Sequence, residues 1–191
     1  MLVPKSNYIL EGGIWILVKR LLVVAGLSLV LGCSLPAQPS VQAKAELKNK
    51  DGQVVGSATF RDAAGGVVVN VEVNAMSPGL HAVHVHAVGK CEGPAFTSAG
   101  GHFNPAQRKH GLKSPDGPHA GDLPNMYVAK DGSGRFEALT DQITSKAGER
   151  SSVFDSDGRA LVIHSGVDDY TTDPTGNAGD RAACGVIAAA R

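Results

Sequence analysis

The sequence predicts an all-β fold, an antiparallel sandwich or barrel of about eight strands that carries two long functional loops. Three observations lead there. Short β-rich segments recur along most of the chain, turn signals separate them, and no stretch has the apolar spacing of an amphipathic helix. Glycine is abundant, at 24 of 191 residues, while aromatic residues make up only 5%. A chain of this length suits one domain with a sizeable core, plus appendages.

The first expected strand is Ala43–Leu47, and Lys50-Asp51-Gly52 turns the chain into a second, Val54–Phe60. Ala64-Gly65-Gly66 leads to Val67–Val73, whose valines suit a pleated, half-buried surface. His81–His86 follows, then Met126–Ala129, and Lys130-Asp131-Gly132 turns into Arg135–Thr140. Asp157-Gly158 precedes the strongly apolar Ala160–His164, and Cys184–Ala189 closes the series. Two stretches lack strand character. Residues 87–125 hold much of the Gly, Pro and His, and residues 165–181 are polar with several Asp and Thr. Structureless segments of that length inside a compact domain are usually functional.

The N-terminus reads as an appendage. Lys19-Arg20 precedes the apolar run from Leu21 to Gly32, a layout that predicts a secretory signal over residues 1–32, too short to span a bilayer comfortably. Val30-Leu31-Gly32-Cys33 resembles a bacterial lipobox. It predicts cleavage before Cys33, a lipid on that sulfur, and a protein exported to the periplasm or cell surface and anchored to a membrane. A plain secretion signal with an incidental cysteine is the alternative. Residues 33–42 read as lipid anchor and flexible tether, and residues 43–191 as the folded domain. Glu11 and a broken apolar pattern lengthen the segment before Lys19, which makes Val18 a candidate true start.

The formal charge is zero, and processing removes three of 18 basic and one of 18 acidic residues. No basic excess remains, so nucleic acid is not an expected partner. With Cys33 lipidated, Cys91 and Cys184 are left as a pair in an oxidising setting, where a bridge would tie the first long loop to the last strand. Two buried free thiols are the alternative.

Histidine carries the chemistry. Six of the seven histidines fall at spacings that would build two adjoining metal sites. Neutral imidazole suits copper and zinc alike. Residues two apart on a strand face the same side, so His84 and His86 point together. His81 has the opposite parity and reads as a supporting histidine that braces backbone. His164 ends an apolar strand, where an unpartnered histidine is costly to bury. His102, His110, His119 and Asp122 offer three imidazoles and one carboxylate, the set expected of structural zinc. An isolated His-x-His is weak, and loop histidines are normally solvated; it is the combination that argues for metal.

The segments Gly79–His86, Ser98–Pro105, Arg108–Gly111, His119–Leu123 and Gly176–Ile187 together resemble the copper/zinc superoxide dismutases over roughly residues 43–191. The resemblance implies a Greek-key antiparallel β-barrel holding one copper and one zinc per chain. It implies His84, His86, His102 and His164 as copper ligands, and His102, His110, His119 and Asp122 as zinc ligands, with His102 bridging the two ions. Asp168 would connect the two sites through hydrogen bonds, Arg181 would dock the small anionic substrate superoxide beside copper, and Cys91–Cys184 would be the family disulfide. The implied activity is disproportionation of superoxide to dioxygen and hydrogen peroxide, with His102 carrying a proton on its copper-side nitrogen. Both monomers and homodimers occur among such proteins.

There are departures from the family pattern. Ala82 stands where a glycine is common, and Pro174-Thr175-Gly176 replaces the Lys-Thr-Gly of many eukaryotic members, which removes a guiding lysine. Pro94-Ala95-Phe96 after Cys91 is similar to the bacterial branch. Two rival functions stand beside the enzyme. One is an extracytoplasmic copper/zinc buffer or delivery protein without turnover. The other is an adhesion module on a sandwich scaffold, since fold alone does not fix function.

Overall fold

The computed structural model describes residues 41–190; the expected leader, Cys33 and all but the end of the tether lie outside them. Nine strands form in chain order: β1 Val41–Asn49, β2 Val54–Ala63, β3 Gly66–Val73, β4 Gly79–His81, β5 Val83–His86, β6 Met126–Val128, β7 Gly134–Thr140, β8 Arg159–His164 and β9 Arg181–Ala189. They make one sheet in the order β4-β6-β7-β3-β2-β1-β9-β8-β5, with every pair antiparallel. The sheet curls into a nearly closed Greek-key barrel. Among the described residues the only helical element is the 3-10 turn Thr97–Ala99.

Period-two alternation accounts for the inner face. Ala43, Ala45 and Leu47 of β1 and Val67, Val69, Val71 and Val73 of β3 point inward, where they meet Phe60, Met126 and Phe136. The expected single strand His81–His86 is instead two strands, and its partners explain the break. β4 pairs with β6, whereas β5 pairs with β8. Between them Ala82 donates its N–H to Gly166 O at 2.8 Å and accepts from His164 N at 2.9 Å. One continuous run of chain therefore closes the barrel by turning from one sheet edge to the other.

β5 and β8 are buried on both faces, unlike the strands opposite them. Val83, Val85, Leu161 and Ile163 fill the main core. On the outer face, Ala160 and Val162 of β8 and Cys184 of β9 pack under Phe96 and Ala99 of the first long loop in a second small core. The Cys91–Cys184 disulfide pins that loop to β9. Such a bridge persists in oxidising compartments, which agrees with an exported protein.

Candidate metal centre

Parity places the histidines. With Val83 and Val85 inward, His84 and His86 stand on the outer face of β5. On β8, Ala160, Val162 and His164 share that outer face. His84 pairs with Val162, so His164 lies diagonally across, and the His84 and His164 ring centroids are 4.9 Å apart. The first long loop then completes the group by using the free edge of β5. Phe103 N donates to Val85 O (2.8 Å), Val85 N to Gly121 O (2.9 Å), and Gly121 N to Phe103 O (2.9 Å). These bonds bridge His102 to His86 and Asp122 to His84. Backbone groups that an edge strand would leave unpaired thus set the register of two more donor side chains.

Two donor clusters result. One ring nitrogen from each of His84, His86, His102 and His164 lies within 4.8 Å of the others, and all four rings are buried. On the other side of His102, its Nδ1 sits 3.0 Å from Asp122 Oδ1 and 3.4 Å from His119 Nδ1, and His119 Nδ1 is 3.5 Å from Asp122 Oδ1. His110 Nδ1 lies 3.1 Å from Asp122 Oδ2, outside hydrogen-bonding alignment. Distance alone also admits His84 to this second set. Its Nε2 is already given to Asp168 Oδ2 at 2.8 Å, and its one partnerless nitrogen, Nδ1, belongs to the first cluster, so His119 fits the fourth place better. The imidazole of His102 belongs to both clusters.

The bonding of each ring nitrogen decides what the clusters are for. His84 Nδ1, His86 Nε2, His102 Nε2, His164 Nε2 and His110 Nδ1 are buried without a hydrogen-bond partner. The opposite nitrogens are engaged: His84 Nε2 and His110 Nε2 by the two oxygens of Asp168, His86 Nδ1 by Gly100 O at 2.9 Å, and His164 Nδ1 by Gly179 O at 3.2 Å. A buried unsatisfied polar group costs about 1–3 kcal/mol. Five of them rival the whole stability of a domain, roughly 5–15 kcal/mol. Converging nitrogens of this kind suit a nitrogen-loving metal ion. The carboxylate-bearing cluster beside them suits zinc.

Electrostatics agree. Burial, reinforced by the charge of His102, pushes His86 down to about 2 against the opposing pull of the Gly100 carbonyl. Burial and then His84 lower His164 to about 3, and burial lowers His102 to about 4 although Asp122 opposes it. These rings are therefore neutral donors at pH 7. His110 goes the other way. Burial opposes its charge, but the neighbouring carboxylates of Asp122 and Asp168 win and raise it to about 9, so positive charge is favoured between the two carboxylates. Both carboxyls lie well below the usual range; burial raises them, and their histidine partners more than offset it.

The remaining sequence-nominated residues fall around this pair. His81 faces away from both clusters, with Nδ1 2.7 Å from His164 O and Nε2 2.7 Å from Ser77 O. Arg181 Nη1 and Nη2 donate to Phe96 O (2.5 Å) and Gly100 O (2.6 Å), the latter being the carbonyl that also engages His86. Arg181 forms no ion pair with Asp168 or Asp169 among the described residues. Gly176 lies so close to the site that a Cβ there would fall 2.0 Å from Asp168 Oδ1. Sequence reasoning missed Asn125, whose amide clasps the Asp168 backbone, and Asp173, which accepts from His110 N at 2.8 Å. No spacing pattern marks either one.

A Greek-key barrel bearing two adjoining donor clusters joined through one imidazole defines a binuclear metalloprotein. Known proteins agree. The family description "Copper/zinc superoxide dismutase (SODC)" matches residues 54–187. Superoxide dismutase [Cu-Zn] 2 of Aquifex aeolicus is 46% identical over 166 residues, covering 86% of this chain and 96% of that protein. Superoxide dismutase [Cu-Zn] of Caulobacter vibrioides is 42% identical, covering 76% and 84%. A crystal structure of a double mutant of a SOD-like protein from Bacillus subtilis superposes with a TM-score of 0.73 at 39% identity, covering 75% of this chain and 95% of that one. The chain belongs to the copper/zinc superoxide dismutase family, and copper and zinc are its cofactors.

Proposed function

We propose that this chain disproportionates superoxide to dioxygen and hydrogen peroxide, with copper held by His84 Nδ1 and by Nε2 of His86, His102 and His164. Zinc would be held by Nδ1 of His102, His110 and His119 and by Asp122. The observation that carries this reading is the set of four buried, partnerless imidazole nitrogens aimed at one point, each on a ring engaged through its other nitrogen. Copper supplies the one-electron couple when bound, while zinc is redox-inert.

The chain's own residues then have defined tasks. Asp168 holds His84 and His110 in one orientation through its two oxygens. His102 Nε2 can hold a proton whenever it is not holding metal, because Asp122 and the zinc side fix the ring through Nδ1; that proton is one of the two the peroxide needs, and solvent supplies the other. Arg181, held by two carbonyls, presents its remaining N–H groups to a small anion. Two superoxides and two protons thus yield one dioxygen and one hydrogen peroxide.

The test strips the domain of metal, reconstitutes it with copper and zinc, counts both ions, and assays superoxide loss. One ion of each kind per chain with fast turnover is the expected result. Full occupancy without turnover would make the protein a metal buffer instead.

Anchoring belongs to this proposal as well. The lipobox-like Val30–Cys33 supports a processed N-terminus at Cys33 carrying a lipid on its sulfur. Mass analysis of the exported protein should find a diacylglyceryl-modified Cys33; an unmodified terminus would reduce this to simple secretion.

A further inference from the structure

The Asp168 carboxylate sits on a loop rather than on a strand, and the residue two positions further on has an unusual backbone. Tyr170 has φ 64°, in the left-handed region that bulky side chains rarely occupy. Such outliers persist only where their surroundings hold them. Four contacts do so here. Tyr170 N donates to Asp168 Oδ1 at 2.6 Å, on the same oxygen that His110 Nε2 engages at 2.9 Å. Its carbonyl accepts from Lys113 N at 3.1 Å, and the Lys113 ammonium lies 5.2 Å from the centre of its ring. Its hydroxyl oxygen accepts from Asn125 N at 2.7 Å.

Asn125 is the residue that grips Asp168 from behind. Its Nδ2 donates to Asp168 O and its Oδ1 accepts from Asp168 N, both at 2.9 Å. Gly111, next to His110, packs so closely beneath that a Cβ there would lie 1.9 Å from Tyr170 O. Tyr170 therefore touches the carboxylate, the backbone of the residue whose side chain grips it, and the loop that carries the zinc-side donors.

We propose that Tyr170 is a positioning residue that fixes the Asp168 carboxylate between His84 and His110 and thereby sets how tightly the zinc-side donors hold their ion. The proposal rests on the two-site reading given under Proposed function. A Tyr170 that merely packs would change stability without changing the metal.

Two variants separate these roles. Tyr170→Phe keeps the ring and its contact with Lys113 but leaves Asn125 N–H without its acceptor. Tyr170→Asn accepts the left-handed backbone while removing the ring. The measurements, on the processed protein, are zinc affinity by chelator competition and the visible spectrum of cobalt(II) loaded in place of zinc. Changes to groups that hold metal ligands in place commonly cost 10- to 100-fold in affinity. At least one variant is expected to bind zinc about tenfold more weakly, with a shifted cobalt spectrum. Parent-like affinity and spectrum in both variants would overturn the proposal, even if the melting temperature falls. Asp168→Asn serves as the reference: if it also leaves both readouts unchanged, the two-site reading itself fails, whereas a changed Asp168→Asn beside parent-like Tyr170 variants rejects the role of Tyr170 alone.

Discussion

An imidazole has two nitrogens, and the way each histidine here divides them separates donors from braces. His81 has both beside backbone carbonyls, of Ser77 and His164, and leaves none open to a metal. His84, His86 and His164 each give one and keep one. The kept nitrogens make the site. Arg181 follows a similar logic, since two of its N–H groups are spent on Phe96 O and Gly100 O to aim the rest. Burial lowers its pKa, yet a guanidinium remains charged at any physiological pH. Arg181→Ala should therefore slow superoxide consumption about tenfold or more and flatten its dependence on ionic strength, because electrostatic steering contributes on the order of 10- to 1,000-fold. Rapid kinetics at several salt concentrations check this; an unchanged rate and slope would remove Arg181 from substrate docking.

Strands and loops contribute unequally. The parity of His84 and His86 was legible in the sequence because a strand alternates strictly, and the same rule set His81 apart. The break at Ala82 was not legible. It depends on which sheet edge each half of the run meets, a fact of tertiary pairing. The long loop was readable as metal-bearing from its histidines, but its alignment along the free edge of β5 leaves no mark in local sequence. Near the site that loop rests on the small outer core around Phe96 and on the Cys91–Cys184 bridge, which spans 93 residues. Closing a loop of that size constrains the unfolded chain by about 4–5 kcal/mol in the chain-entropy view. Replacing both cysteines with serine should cost about 2–5 kcal/mol in denaturant unfolding and weaken copper retention, since Phe96 O and Gly100 O would lose their fixed places. A variant with parental stability and parental copper affinity would show that the outer core suffices without the bridge.

For the molecule as a whole, the all-β class, the turn positions and the donor residues were present in composition and spacing. Asn125, Tyr170 and Asp173 were hidden, because each acts through backbone groups that only the folded chain brings near. The partnerless donors are drawn from positions as far apart as β5 and the end of β8, with the shared ring supplied by the loop between them. No peptide shorter than the stretch from His84 to His164 can contain the set. Assembly of the centre is consequently all-or-nothing: a clipped or half-folded chain keeps individual histidines but no place for them to meet, so the ability to take up copper reports on the integrity of the entire barrel.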